Sequence, residues 1–253
     1  MGSMKFTATK LSGTGKLGSL KPDADGYYTV VLGGLNTLNS GGQYYDLQGA
    51  EHLFLNSSAF MRRVQKGCLK IEVTHPKPEP GMSEDAYIAR LMDIDLKNVC
   101  GHISEVWLDE NFGRNHPELK NPNLVAILGK VKPSGDKAAT LQLALDNAKE
   151  NVCFSIRSFT RNYQVGRTEH RVLDVVVTFD LVNEGGILAA SKWDSPTLET
   201  ITEKRITERQ MDRFLNAGAH YATEDSKAIA LEVINNIRES SKAVSSPLYE
   251  VWH

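Results

Sequence analysis

Cysteine is scarce in this sequence. Cys68, Cys100 and Cys153 are the only three in 253 residues. Their odd number and wide spacing exclude a disulfide framework and fit no zinc motif, which points to a reducing, intracellular setting. An excess of charge of one sign is also missing. Lys plus Arg number 29 against 31 Asp plus Glu, for a formal charge of −2, which excludes a protein that grips nucleic acid with a wholly basic surface. No apolar run approaches the ~18 to 20 residues of a membrane helix. None of the seven histidines falls in an HExxH or Cys/His metal pattern, so no cofactor is expected. The first residues lack a hydrophobic signal core. Met1-Gly2-Ser3 reads as an expression-tag remnant ahead of a native Met4, with residues 4–253 expected to form a single domain.

What is present suits a globular core: 41% hydrophobic and 24% charged residues. The first 45 residues are loop-rich, with a short strand at Tyr27 to Leu32. Gly13-Thr14-Gly15-Lys16-Leu17-Gly18 matches GxGxxG, but Pro22 follows where a phosphate-binding helix would have to continue, so the segment reads as a flexible turn. Leu53, Leu55, Phe60, Met61 and Val64 recur at helical spacing and predict a helix ending at Gly67. Cys68 to His75 alternates as a strand. Gly101 to Leu108, Asn123 to Val131, Asn151 to Arg157 and Val172 to Val182 follow, with a helix over Asp136 to Glu150. Beyond Ser195-Pro196, Leu198 to Leu215 and Ser226 to Ile237 read as helices. The expected architecture is α+β: a β-rich core over about 25–191, a barrel of mostly antiparallel strands surrounded by helices, and a helical part over about 195–248.

Several residues carry candidate chemistry. His75 closes a strand just before Pro76, held by the sheet yet near solvent, where a general base works well. Ser155 shares a strand face with Cys153 and Arg157, and matters only with a base beside it. Asp180 lies in the apolar run Val175 to Val182 and needs a partner there. Alternation puts it on one face with Asp174, Val176 and Thr178. His75 falls on the face of Leu69, Ile71 and Val73, so its strand must end or bulge before it if it is to join the other two. Arg157, Arg161, Arg167 and Arg171 lie close in sequence and read as a solvated hairpin face or as a site for an acidic group.

Taken in order, these segments resemble a known family. Asn39-Ser40-Gly41-Gly42-Gln43-Tyr44-Tyr45, Gly67 through His75-Pro76, Gly101-His102-Ile103-Ser104-Glu105-Val106-Trp107, Val152 through Ser155-Ile156-Arg157, and Thr178 to Val182 with Ala189-Ala190 together resemble the prohead (capsid maturation) serine proteases of tailed bacteriophages. The fold of that family is similar to herpesvirus assemblin. The resemblance covers about residues 39 to 191, with 80 positions between His75 and Ser155.

The resemblance implies Ser155 as nucleophile, His75 as general base and Asp180 as the orienting acid. Asp174, His102 and His170 stand as alternatives for the third member. It places oxyanion donors near Arg157. Arg157, Arg161 and Arg167 are read as the site for a substrate glutamate. The implied substrates are phage scaffold, core and major capsid proteins, cut after Glu inside the assembling prohead in the host cytoplasm, with retention in the virion open. Glu224 and Glu232 are candidate self-cleavage points. A homodimer is an open expectation; membrane and direct nucleic-acid partners are not expected. The competing readings are a catalytically silent capsid- or scaffold-associated protein, and a nucleic-acid-binding barrel using the arginines with Tyr163 and Phe159.

Overall fold

The computed structural model describes residues 3–12, 22–147, 150, 153–183, 203–216 and 223–245. The Gly13 to Gly18 turn, Ala189-Ala190 and Ser195-Pro196 lie outside these residues. The strands are β1 (Ser3–Ser12), β2 (Tyr28–Leu35), β3 (Thr37–Leu38), β4 (Tyr44–Asp46), β5 (Lys70–Glu72), β6 (Val99–Asp109), β7 (Val125–Pro133), β8 (Cys153–Val165), β9 (Thr168–Val182) and β10 (Glu203–Thr207). The helices are α1 (Ala59–Gln65), α2 (Glu84–Met92), α3 (Phe112–Asn115), α4 (Ala138–Asp146), α5 (Glu208–Asn216) and α6 (Glu224–Ser245).

The strands form two sheets. One has six strands in the order β10-β1-β8-β9-β4-β3, and the other has four in the order β2-β7-β6-β5. All pairs are antiparallel except β4 with β9. Apolar residues of both sheets face each other: Val30, Ile71, Ile103 and Ile127 from the smaller, Phe154, Ile156, Phe179 and Leu181 from the larger, with Phe60 and Val64 of α1. The far face of the larger sheet carries a second core. There Phe159, Val175 and Val177 pack under Ile88 and Leu91 of α2, Met211 and Phe214 of α5, and Ile229, Val233 and Ile237 of α6. Because β8 from Cys153 to Thr160 and β9 from Arg171 to Val182 are buried on both faces, the polar residues they carry, Ser155, Arg157 and Asp180 among them, are buried too. The expected barrel is thus two facing sheets, joined where Val73 bridges in parallel to Leu181.

Local chemistry explains most boundaries. Ser58 caps α1 by accepting from the Met61 amide at 3.0 Å. Gly67, at φ +67°, takes the left-handed turn that ends the helix and releases the chain into β5. Ser83 caps α2 in the same way, with Glu84 and Asp85 favourably placed in its first turn.

Three expectations need correction. The helix expected from Leu198 begins only at Glu208, because 203–207 instead add strand β10 to the edge of β1. Residues 3–12, expected as loop, form β1, an interior strand of the larger sheet between β10 and β8, and that strand includes Ser3, paired with Thr207. The helix expected from the Leu53 to Val64 pattern is split into a 3-10 turn (Glu51–Phe54) and α1.

Candidate active site

Strand register brings the first pair together. In the β8–β9 ladder Ser155 lies directly opposite Asp180, and Arg157 opposite Thr178. Past that point β9 advances two residues for one of β8 at two places, skipping Val177 and Asp174. These bulges break the alternation that grouped Asp174 with Asp180.

His75 arrives from the other sheet. The β5–β6 register slips between Ile71 and Glu72, with Cys100 as the extra residue on β6, and β5 ends at Glu72, before the histidine. Val73 then crosses to β9, and the Thr74 amide donates to the Leu181 carbonyl at 2.7 Å. Thr74 has φ +63°, a left-handed conformation that a β-branched residue holds only under external constraint. The turn redirects the chain and swings His75 off the face that strict alternation assigns to it. Asn98 donates its side-chain amide to the Val73 carbonyl at 2.8 Å, and Thr178 donates its hydroxyl to the Lys70 carbonyl.

The result is a continuous polar line. His75 Nδ1 lies 2.7 Å from Asp180 Oδ2, and His75 Nε2 lies 2.6 Å from Ser155 Oγ. An ionised carboxylate only accepts, so Nδ1 carries the proton and Nε2 is left to accept from the serine hydroxyl. Ser155 and Asp180 are fully buried, while the His75 side chain is 15% exposed.

Behind Asp180 stands a buried ion network. Arg157 donates from Nε to Asp180 Oδ2 at 2.9 Å and from Nη2 to Oδ1 at 2.6 Å. Its Nη1 donates to the Asp93 carbonyl at 3.0 Å, and its Nη2 lies 3.3 Å from Glu72. Glu72, also fully buried, accepts from both terminal nitrogens of Arg90 and from the Asp95 amide at 2.7 Å. Burial pushes the Asp180 carboxyl upward, but the charge of Arg157 and the bond from His75 outweigh it and hold it below the usual range. Burial acts to lower Arg157, and the two carboxylates overcome that to raise it. The nearby Cys100 thiol is pushed up to about 12, first by burial and then by Asp180. It is therefore protonated at neutral pH.

The other candidates lie elsewhere. Arg157 is not free to hold an oxyanion or a substrate, because its guanidinium is spent on Asp180, Glu72 and Asp93. Its backbone belongs to a strand flanked on both edges by β1 and β9. Arg161 pairs with the buried Asp174 at 2.7 Å and sits six positions from Ser155, about 20 Å along an extended strand. Arg167 is farther still, in the turn between β8 and β9. Neither reaches the bond that Ser155 would attack, so the expected glutamate site is not assembled there. Arg171 is buried against Glu169 and Tyr45.

Among the alternative third members, Asp174 is tied to Arg161. His102 bonds Tyr27 and the Gly67 carbonyl, and His170 bonds Asp46. Of these, Asp180 alone meets His75. Phe159 is fully buried and offers no stacking face to a base. Glu224 is exposed at the first turn of α6, while Glu232 is half-buried within the helix. Among the described residues no cluster of three His, Cys, Asp or Glu side chains is placed to hold a metal, and no helix is long and apolar enough to cross a membrane.

The sequence matches the Peptidase S80 family over residues 6–244. The chain belongs to the peptidase S80 family. A capsid maturation protease of Pseudomonas phage phiKZ is 35% identical over 221 residues, covering 82% of this chain and 79% of that protein. Among solved structures, the bacteriophage T4 capsid assembly protease matches with a TM-score of 0.45 and 13% identity, covering 69% of this chain and 95% of that one. This peptidase separates its histidine and serine by 80 positions because α2, β6, α3, β7 and α4 intervene. Glu72, Arg90, Asp93 and Asn98 were not singled out in the sequence. Glu72 looks there like the polar face of an ordinary strand, and its partner Arg90 lies on a helix whose signals, Ser83 before Glu84-Asp85 and then Ile88, Leu91 and Met92, are short.

Proposed function

We propose that this chain is a serine endopeptidase of phage capsid maturation, acting on scaffold, core and capsid proteins inside the assembling head. The observation that carries the reading is the hydrogen-bonded line from Ser155 through His75 to Asp180, at 2.6 and 2.7 Å. The S80 membership and the phiKZ capsid maturation protease support the setting. Ser155 Oγ attacks the scissile carbonyl while His75 Nε2 takes its proton and later delivers it to the leaving amine. Asp180 holds the tautomer and stabilises the imidazolium. Water then releases the acyl group by the same proton path.

Cleavage after Glu is kept from the family resemblance alone, since Arg157 is committed to Asp180 and Glu72 and Arg161 and Arg167 lie too far from Ser155. We also take the two-sheet core as a counterpart of the herpesvirus protease fold, supported by the order of its His, Ser and acidic strands. Residues 4–253 are taken as one protease domain, because α5 and α6 pack on the sheet that carries Ser155.

Labelling with an alkyl fluorophosphonate tests the chemistry. The purified chain should be modified at Ser155, and Ser155→Ala should lose both labelling and peptide cleavage while keeping its fold. Undiminished cleavage by Ser155→Ala would reject the reading.

A further inference from the structure

We propose that Glu72 and Arg90 are positioning residues of the catalytic centre, acting on His75 through Arg157 and Asp180. This rests on the Ser155–His75–Asp180 reading and extends it by two links. From the imidazole outward the groups run Asp180, Arg157, Glu72, Arg90, with signs that alternate at every step. Arg157 bridges two carboxylates, and Glu72 bridges two guanidiniums.

The alternation decides what the imidazole feels. An arginine paired with Asp180 alone would cancel most of the carboxylate's field at His75, leaving the imidazolium of the transition state poorly supported. Glu72 draws part of the Arg157 charge the other way, so Asp180 keeps its effect on the ring. Arg90 in turn sets how much of Glu72 is available, through Nη1 at 3.0 Å and a second bond from Nη2. Glu72 is also held by the Asp95 amide at 2.7 Å and lies 3.5 Å from the Asn98 amide, so its carboxylate is fixed in place. A carboxylate this buried needs that many partners merely to stay ionised. The other titratable groups beside the network are Tyr87 on α2 and Cys100 on β6; Asp93 and Asp95 touch it through a backbone carbonyl and a backbone amide.

A purely structural network and this electrostatic one make different predictions. Structural damage at either residue would slow the enzyme without moving its pH dependence in a directed way. The proposed role requires opposite shifts. The readout is the rate of fluorophosphonate labelling of the full chain against pH, with folding of each variant checked by circular dichroism. Glu72→Gln removes a negative charge, destabilises the imidazolium and should move the acidic limb down by about half to one pH unit. Its limiting rate should fall by roughly tenfold. Arg90→Gln removes a positive charge and should move the same limb up. Arg90→Lys, which keeps the charge, should return the limb to its parent position.

Arg90 is 23% exposed, so its two variants decide the matter if Glu72→Gln does not fold. Limbs that stay in place, or shift the same way in Glu72→Gln and Arg90→Gln, overturn the positioning role. Undiminished labelling of Ser155→Ala, or none of the parent, overturns the triad reading instead.

Discussion

Ser155 and Asp180 are direct cross-strand neighbours in the β8–β9 ladder, yet they communicate through a histidine that comes from the other sheet. The hairpin fixes the outer members rigidly, and the geometry of the centre depends on where β5 delivers His75. Asp180→Asn keeps the shape but offers Nδ1 an amide in place of a charge. Labelling and cleavage should fall by about 10³- to 10⁴-fold, measured with the fluorophosphonate and a peptide substrate.

The same carboxylate contributes to stability, with a definite pH sign. Its folded-state pKa is held below the ordinary value by Arg157 and His75 against the opposing effect of burial. A depressed carboxylate stabilises the fold above its unfolded pKa, near 3.9, and that contribution disappears as pH falls through the folded value. Asp180→Asn also leaves Arg157 short of a partner, at a cost of about 3 to 5 kcal/mol. Urea unfolding of parent and variant should therefore differ by about that amount at pH 7 and converge progressively below about pH 4.

Thr74 tests the entry of His75. Its φ of +63° and its amide bond to the Leu181 carbonyl suit glycine and are incompatible with proline, which locks φ near −65° and lacks the N–H. Thr74→Gly should stay within about 1 kcal/mol of the parent in stability while labelling slows several-fold. Thr74→Pro should lose labelling altogether.

Self-processing should favour one of the two candidate glutamates. Glu224 is 91% exposed in the first turn of α6, whereas the segment around Glu232 is wound into the helix beside Val233 and Ile234, which are buried. A peptide must be extended to enter a protease site, and unwinding a helix end costs far less than opening its middle. Intact mass spectrometry of the purified chain should show loss of residues 225–253 and no product cut after Glu232; Ser155→Ala should show neither.

The legible parts of the fold were those governed by short-range rules. Alternation at 68–75 and the apolar or mixed runs at 101–108, 123–131, 151–157 and 172–182 located strands, the first of them shorter in the fold, at Lys70–Glu72, and Gly67 marked the end of α1. Ser155, His75 and Asp180 each sat on a strand, or just after one, that the pattern revealed. Strand β10 was missed because a five-residue edge strand leading straight into an amphipathic helix has no turn between the two patterns. The arginines misled for another reason. Proximity in sequence along a strand means separation in space, so Arg157 and Arg161 belong to different ion networks. Glu72 was invisible because its burial depends on Arg90 and Arg157, 18 and 85 positions away.

The bridge from Val73 to Leu181 has a consequence for how the enzyme fails. Base and nucleophile come from different sheets that are tied at this seam by the Thr74–Leu181 and Thr178–Lys70 bonds, so slight parting of the sheets there would silence the chemistry while each sheet kept its own ladder intact. Turnover thus serves as a gauge of their docking, and on warming it should vanish before circular dichroism registers any melting.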